Sequence, residues 1–116
     1  MSNDKLRSKE TSRKYRDHRA TGVLERSCPL CDAPEICTFT HWKIISNNFP
    51  YDLIAKTHHM IVPRRHTKEL ELSESEMEEF RTIKYTDLQK YDILVEATKN
   101  TKSIPAHFHL HLIDLK

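Results

Sequence analysis

Histidine and apolar residues alternate from Ala106 to Ile113. A period of two is typical of a β-strand with two unlike faces. One face carries the three histidines, His107, His109 and His111. The other face carries the apolar residues Phe108, Leu110 and Leu112. A single histidine is usually structural, but three in alternation indicate a functional site on this strand.

Two further segments rich in β-branched and aromatic residues predict strands: Ile36 to Ser46 and Tyr91 to Ala97. A shorter strand is predicted from His59 to Val62, because Pro63 has no N–H to give to a sheet. The Asn and Pro content of residues 47–52 predicts a turn.

One long helix is predicted to begin at Ser73, because Ser73 and Glu76 have the spacing of a capping box. Its apolar face would be formed by Met77, Phe80, Ile83 and Leu88. Several strands and one main helix predict an α+β domain with a mainly antiparallel sheet.

Composition narrows the function classes. The chain has 116 residues, which is enough for one domain. Gly22 is the only glycine, which excludes a Walker loop and a dinucleotide-binding fingerprint. No apolar run approaches the roughly 20 residues of a membrane span, and the first residues lack the apolar stretch of an export signal. We therefore expect no membrane partner and a cytoplasmic location.

The charge is unevenly distributed. Residues 1–20 contain seven Lys and Arg against three Asp and Glu. Residues 1–22 also lack apolar periodicity, so we expect a basic, mobile N-terminal arm followed by a folded domain over residues 23–116. Such an arm can contact nucleic acid. A solubilising tail is favoured, because Tyr15 is its only aromatic residue.

The cysteines indicate a metal site. There are three, Cys28, Cys31 and Cys37, and an odd number without an export signal argues for reduced thiols. Cys28 and Cys31 have the spacing that presents two thiolates to one metal ion, and Zn²⁺ would need two further ligands from histidines or carboxylates. A redox pair is the alternative, although the flanking residues are unlike those of thioredoxin.

The three histidines also suit attack on phosphorus. A neutral imidazole is nucleophilic near neutral pH, and water readily breaks the N–P bond that it forms. A nucleotidyl-histidine intermediate would thus divide one difficult displacement into two easier ones. The attacking nitrogen needs an acceptor on the other ring nitrogen to fix its tautomer, and neighbouring histidines or carbonyl groups can supply it.

Two blocks of sequence resemble the histidine-triad (HIT) superfamily of nucleotide hydrolases and transferases. The alternating segment at residues 107–113 resembles its His-φ-His-φ-His-φ-φ motif, where φ is apolar. Residues 47–51 read Asn-Asn-Phe-Pro-Tyr, similar to the superfamily's N-x-F-P block. Residues 58–66 are similar to its histidine-to-histidine block with an internal proline and a basic residue. The Cys-x-x-Cys pair adds similarity to the zinc-bearing galactose-1-phosphate uridylyltransferase branch.

The resemblance implies an antiparallel sheet with helical cover, paired into a homodimer, and it assigns catalytic roles. His109 would be the nucleophile, His111 would bind the phosphoryl oxygens or the leaving group, and His58 would orient the histidines and the phosphate. Asn47 would lie against the nucleotide. Ser103 is a further substrate-binding candidate, although its register is shifted because the superfamily's Gly-Gln-Ser approach to the triad is missing.

The resemblance also implies a zinc site. Its ligands would be Cys28, Cys31, His66 and His107, a closed tetrahedral set. The metal would then be structural and would fix the histidine segment, instead of activating water.

These observations favour an enzyme that forms a nucleotidyl-histidine intermediate with phosphoramidates, adenylylated compounds or dinucleoside polyphosphates. His111 favours hydrolysis, because the uridylyltransferase branch has glutamine at that position. A zinc-stabilised, non-catalytic module that binds nucleotide or nucleic acid is the alternative. A catalytic zinc centre made by three histidines is a third reading, which would leave Cys28 and Cys31 without a role.

Overall fold

A computed structural model describes residues 5–22, 28–98 and 104–116. The strands in these residues are β1 (Glu35–Thr38), β2 (Trp42–Ser46), β3 (Ala55–Pro63), β4 (Ile93–Val95) and β5 (Leu110–Leu115). They form one antiparallel sheet in the order β1-β2-β3-β5-β4. The predicted α+β architecture with a mainly antiparallel sheet is confirmed.

The α-helices of the described residues are α1 (Lys9–Ala20), α2 (Pro29–Asp32) and α3 (Glu74–Tyr85), with 3-10 turns at Glu69–Glu71 and Asp87–Lys90. None of the helices in this part of the chain has both the length and the apolar character to cross a membrane. The predicted main helix is α3. Its capping box is present, because Ser73 Oγ accepts from the Glu76 N–H at 3.1 Å and Glu76 Oε1 accepts from the Ser73 N–H at 2.7 Å.

The alternation of histidine and apolar residues does separate two sides of the sheet. Phe108 and Leu112 are buried in the main apolar cluster, and Leu110 packs against it. α3 closes this cluster from outside: Ile83 is buried in it, and the Trp42 indole N–H donates to the Glu76 carbonyl at 2.8 Å. The apolar half of the predicted pattern is therefore the core beneath α3.

A second apolar cluster supports the opposite side. It is formed by Leu30, Ile45, Met60 and Val62. Leu30 comes from α2, which begins immediately after Cys28. The cysteine turn is thereby packed against the centre of the sheet, at strands β2 and β3.

Several predicted strand bounds are wrong. The segment from Ile36 to Ser46 forms two strands of a hairpin, because the turn N–H groups of Thr40 and His41 donate to the Glu79 carboxylate of α3 instead of to a strand. The short strand predicted from His59 extends over the whole of β3, and the strand predicted over residues 91–97 is limited to β4.

The histidine strand also begins later than predicted. Only His111 lies within β5, whereas His107 and His109 precede it. The backbone of the segment before β5 forms its hydrogen bonds outside the sheet. The His107 N–H donates to the Ile104 carbonyl at 3.5 Å, and the Phe108 N–H donates to the Thr67 carbonyl at 2.8 Å. The three histidines are nevertheless all buried.

A helix occupies the segment expected to be a mobile arm. The division of the chain at residue 22 stays a prediction, but α1 is tied to the turn after β2 by Asp52. The Asp52 carboxylate accepts from the Ser8 N–H at 2.7 Å, the Ser8 hydroxyl at 2.7 Å and the Thr11 hydroxyl at 2.6 Å. Apolar periodicity could not reveal this attachment, because it is made by short polar side chains.

The Asp52 contacts predict a pH-dependent contribution to stability. Partial burial acts to raise the pKa of Asp52, but the hydrogen bonds from Thr11 and Ser8 outweigh it and lower the pKa from 3.8 to about 2. The stabilisation is therefore complete above about pH 4 and is lost as the pH falls toward about 2. We expect Asp52→Asn to lower the free energy of unfolding by about 2 kcal/mol near neutral pH.

Urea unfolding of both proteins across this pH range measures the effect, and the difference between them should shrink below about pH 4. Asp17→Asn, at an exposed position of α1, is the matched control and should change little. A difference between wild type and Asp52→Asn that stays constant down to the lowest pH would contradict this account of α1.

Candidate metal centre and histidine site

Four predicted metal ligands converge from three parts of the chain. Cys28 is the N-cap of α2 and Cys31 lies within that helix, where the Cys31 N–H donates to the Cys28 carbonyl at 3.2 Å. His66 follows β3, and His107 precedes β5. One donor atom from each of the four side chains lies within 4.8 Å of all the others. This group could hold a metal ion.

The separations match a tetrahedral site. The His107 Nδ1 atom is 3.4 Å from Cys28 Sγ and 3.5 Å from Cys31 Sγ, and the His66 Nδ1 atom is 3.3 Å from Cys31 Sγ. Zn–S and Zn–N bonds of ordinary length at a tetrahedral angle place sulfur and nitrogen ligands about 3.6 Å apart. These three separations are close to that value, and all four donor atoms lie within 4.8 Å of one another, so the group could hold a metal ion.

The surroundings prepare His107 as a ligand. Its Nε2–H donates to the Pro63 carbonyl at 2.9 Å, which leaves the Nδ1 lone pair directed at the cysteines. The ring is fully buried, and burial lowers its pKa, so that the neutral form that binds metals is favoured. The Lys43 ammonium donates to the Cys31 carbonyl at 2.9 Å and fixes the cysteine turn from the sheet.

The carbonyl group of His107 connects this cluster to the next histidine. The His109 Nδ1 atom lies 3.0 Å from the His107 carbonyl oxygen. Since a carbonyl can only accept, Nδ1 carries the proton, and the lone pair of the neutral His109 ring is on Nε2. The orienting acceptor that a histidine nucleophile needs is therefore supplied by the residue that also belongs to the metal cluster.

His58 and His111 form a hydrogen-bonded chain with Tyr51. The Tyr51 N–H donates to His58 Nδ1 at 2.9 Å, so the proton of the neutral His58 ring is on Nε2. That Nε2–H donates to His111 Nδ1 at 2.8 Å, which in turn leaves the His111 proton on Nε2, 3.2 Å from the Tyr51 hydroxyl oxygen. Each ring thereby fixes the tautomer of the next.

Both rings of this chain are held neutral. Burial, with a smaller contribution from the charge of Arg7, lowers the pKa of His58 to about 4. Burial and the adjacent His58 lower the pKa of His111 to about 2. Over the neutral range His111 is thus a hydrogen-bond donor through Nε2 and not an acid.

A cavity of about 310 Å³ lies beside two of the predicted catalytic histidines, whereas His58 is not among its lining residues and reaches it only through His111. His109 and His111 line it, and so does Asn47, as the sequence predicts for a substrate-binding residue. Asn47 is held in place because its side-chain oxygen accepts from the Phe49 N–H at 2.8 Å and its backbone N–H donates to the His58 carbonyl at 3.1 Å. Ser103, the other predicted substrate contact, lies outside the described residues.

The remaining walls include residues that no sequence pattern indicates. Arg7, Tyr15 and His18 line the cavity from the N-terminal segment and α1. No sequence signal indicated them, because the segment has a polar, charged composition that is typical of a solvated tail. Tyr51 stands in the block of residues 47–51 without a predicted role, yet its hydroxyl and its backbone N–H both contact the histidines.

No protein-family model matches this chain, and no curated protein matches it either.

The metal centre predicts a specific dependence on two of the three cysteines. We expect the purified chain to contain one metal ion, and Cys31→Ser to lose it, because the serine hydroxyl is a poor substitute for a thiolate ligand. Cys37→Ser is the matched control, since Cys37 lies outside the cluster and should keep the metal. Elemental analysis and thermal unfolding with and without a chelator measure both effects.

A chelator should lower the unfolding temperature of the wild type and of Cys37→Ser, and should change Cys31→Ser little. Equal metal content in the two serine variants, or a wild type indifferent to chelation, would contradict the assignment.

Proposed function

We propose that this chain belongs to the histidine-triad superfamily and that it hydrolyses or transfers a nucleoside monophosphate group through a nucleotidyl intermediate on His109. One observation carries the proposal. The His109 ring lines a cavity and is held by the His107 carbonyl in the tautomer whose lone pair is on Nε2. A histidine that only filled the core would need neither the cavity nor the fixed tautomer.

In the first step, His109 Nε2 attacks phosphorus and the N–P bond forms. The bond from phosphorus to the leaving group breaks, and the leaving oxygen or nitrogen keeps the electron pair and takes a proton from solvent. The His109 ring becomes cationic at this point. Its Nδ1–H bond to the His107 carbonyl then becomes charge-assisted, which stabilises the developing positive charge without any movement of the protein.

In the second step, water attacks phosphorus, the N–P bond breaks and its electron pair returns to Nε2. The water proton passes to solvent, and a nucleoside monophosphate is released. The Nε2–H group of His111 would donate to a phosphoryl oxygen in both steps. Its pKa of about 2 supports a role in hydrogen bonding rather than in proton transfer.

The ion proposed for the metal group is Zn²⁺, with a structural role. Two cysteines and two histidines are a complete tetrahedral set, so no coordination position would remain for substrate or water. Bound there, it would fix the position of His107 and, through the His107 carbonyl, the tautomer of His109. The three-histidine catalytic zinc site is not supported, because His107, the first of the three alternating histidines, groups with the two cysteines and His66 instead.

The size of the cavity supports a mononucleotide-sized portion of the substrate. Its volume of about 310 Å³ is at the lower end of the range for small-molecule sites. The proposed substrates are nucleoside phosphoramidates, adenylylated compounds and dinucleoside polyphosphates, with the leaving group outside the cavity. The superfamily resemblance adds a proposed homodimer, which sedimentation analysis would test.

The proposal predicts that His109→Ala lowers turnover by about 1,000-fold or more, because the intermediate cannot form. Folding and nucleotide binding should be retained. His59→Ala is the matched control, since His59 is on β3 and contacts Tyr91 instead of the cavity. Turnover of an adenosine phosphoramidate, AMP-lysine and diadenosine polyphosphates measures the rate, and mass spectrometry after rapid acid-free quenching measures the adduct.

A nucleotidyl adduct on His109 in the wild type would support the proposal. Undiminished turnover in His109→Ala would end it. Binding of nucleotide without turnover of any substrate by the wild type would instead favour the non-catalytic nucleotide-binding module.

A further inference from the structure

Arg7 lies inside the cavity wall rather than on the surface. It is 5% exposed, although it precedes α1 in a segment whose other basic residues are mostly in contact with solvent. Its guanidinium carbon is 4.5 Å from the centre of the Tyr15 ring and 5.0 Å from that of Tyr51. Its Nε–H donates to the Phe49 carbonyl at 2.8 Å. The charged group is therefore held in one orientation.

The contacts of Arg7 leave part of its guanidinium unsatisfied. Nη1 is buried and has no hydrogen-bond partner in the structure. None of the ion pairs between described residues includes Arg7. The aromatic faces stabilise a cation, but they do not accept its in-plane N–H groups as an oxygen does. A buried charge is costly unless it is paired, so this arrangement is incomplete without an anion.

The cavity that Arg7 lines indicates where the anion would lie. Arg7 lines the same cavity as His109 and His111. Tyr51, on which the guanidinium stacks, has its hydroxyl 3.2 Å from His111 Nε2. The field of Arg7 also reaches these rings, since its charge contributes to the lowered pKa of both His58 and His111. An oxyanion in the cavity would meet both the guanidinium and the histidine N–H.

The attachment of α1 supports a binding role for this residue. Asp52 fixes Ser8 and Thr11, the residues on the C-terminal side of Arg7, with three hydrogen bonds. The guanidinium is thus pre-positioned before any ligand arrives, which lowers the entropic cost of binding. A planar guanidinium with unsatisfied N–H groups is well suited to phosphate oxygens, which it can bind with two parallel hydrogen bonds.

We propose that Arg7 is a substrate-binding residue that recognises the phosphate of the nucleotide, so that the segment leading into α1 forms part of the site. This inference rests on the proposed function, from which it takes the phosphate-bearing ligand. It adds the residue that makes the cavity select a nucleotide over the corresponding nucleoside.

The test compares charged and neutral ligands that are otherwise identical. Binding of the common nucleoside monophosphates and of the matching nucleosides is measured by calorimetry at low ionic strength for wild type, Arg7→Met, Arg7→Lys and Arg13→Met. Methionine keeps an apolar stem between the two tyrosine rings and removes the charge. Arg13 is exposed on α1, so Arg13→Met removes the same charge at a distance from the cavity.

We expect the wild type to bind a monophosphate more tightly than its nucleoside. Arg7→Met should weaken monophosphate binding by about 10-fold to 100-fold, the size of a charge-assisted hydrogen-bond pair, and should change nucleoside binding by less than about twofold. The monophosphate affinity of Arg7→Lys should lie between those of wild type and Arg7→Met, because lysine keeps the positive charge but lacks the planar guanidinium. Arg13→Met should behave as wild type.

Near-UV circular dichroism establishes that each variant is folded. If Arg7→Met does not fold, the comparison with wild type is made with Arg7→Lys. Equal weakening of monophosphate and nucleoside would give Arg7 a purely structural role and overturn the proposal. Unchanged affinities, or a wild type that binds neither ligand, would also overturn it. These binding measurements do not depend on turnover. A failure of the His109 mechanism would therefore leave the ratio of monophosphate to nucleoside affinity unchanged in each protein. Conversely, normal turnover with an unchanged KM in Arg7→Met would refute only the role of Arg7.

Discussion

The rest of the site depends on the position of one residue, His107. Its Nδ1 atom lies 3.4 and 3.5 Å from the two cysteine sulfurs, its Nε2–H donates to the Pro63 carbonyl, and its own carbonyl accepts from His109 Nδ1. A single buried residue therefore connects the metal cluster, the end of β3 and the proposed nucleophile. The segment before β5 is not paired in the sheet, so these contacts, with the Phe108 bond to Thr67, hold it.

Directed hydrogen bonds fix the tautomer of each histidine in the cluster. Each imidazole can exist in two neutral tautomers, and only one of them serves a given role. Here two backbone groups select the tautomers. The His107 carbonyl fixes that of His109, and the Tyr51 N–H fixes that of His58. Burial keeps His58 and His111 neutral, so that the assignment is preserved over the physiological range of pH. The histidine cluster is therefore organised before any ligand binds.

Periodicity predicted the parts of this protein that are repeated along an element. The alternation around His109 separated core from site, and the Ser73 capping box located the start of α3. The spacing of Cys28 and Cys31 indicated a metal pair, and the family resemblance supplied the other two ligands, which the structure brings within reach. These features could be predicted because local spacing along a strand, a helix or a turn determines which side chains lie together.

The sequence could not predict contacts made by isolated polar residues far apart in the chain. Asp52 attaches α1 through Ser8 and Thr11, more than 40 positions away, and nothing in a charged N-terminal segment signals such a partner. The role of Arg7 could not be predicted for the same reason, because its burial depends on contacts with two tyrosine rings from different parts of the chain. The position of the turn between β1 and β2 was not indicated by the sequence, because Glu79 of α3 holds this turn, again through a tertiary contact.

The proposed chemistry requires His109 to carry its proton on Nδ1 and its lone pair on Nε2, fixed by the His107 carbonyl. Long-range nitrogen–proton correlation NMR on chain labelled with ¹⁵N at histidine measures this tautomer directly, with His109→Ala to assign the ring. We expect a protonated Nδ1 and an unprotonated Nε2 in the metal-loaded protein, with this preference lost on chelation. A protonated Nε2, or a ring that exchanges between both tautomers in the loaded protein, would contradict it.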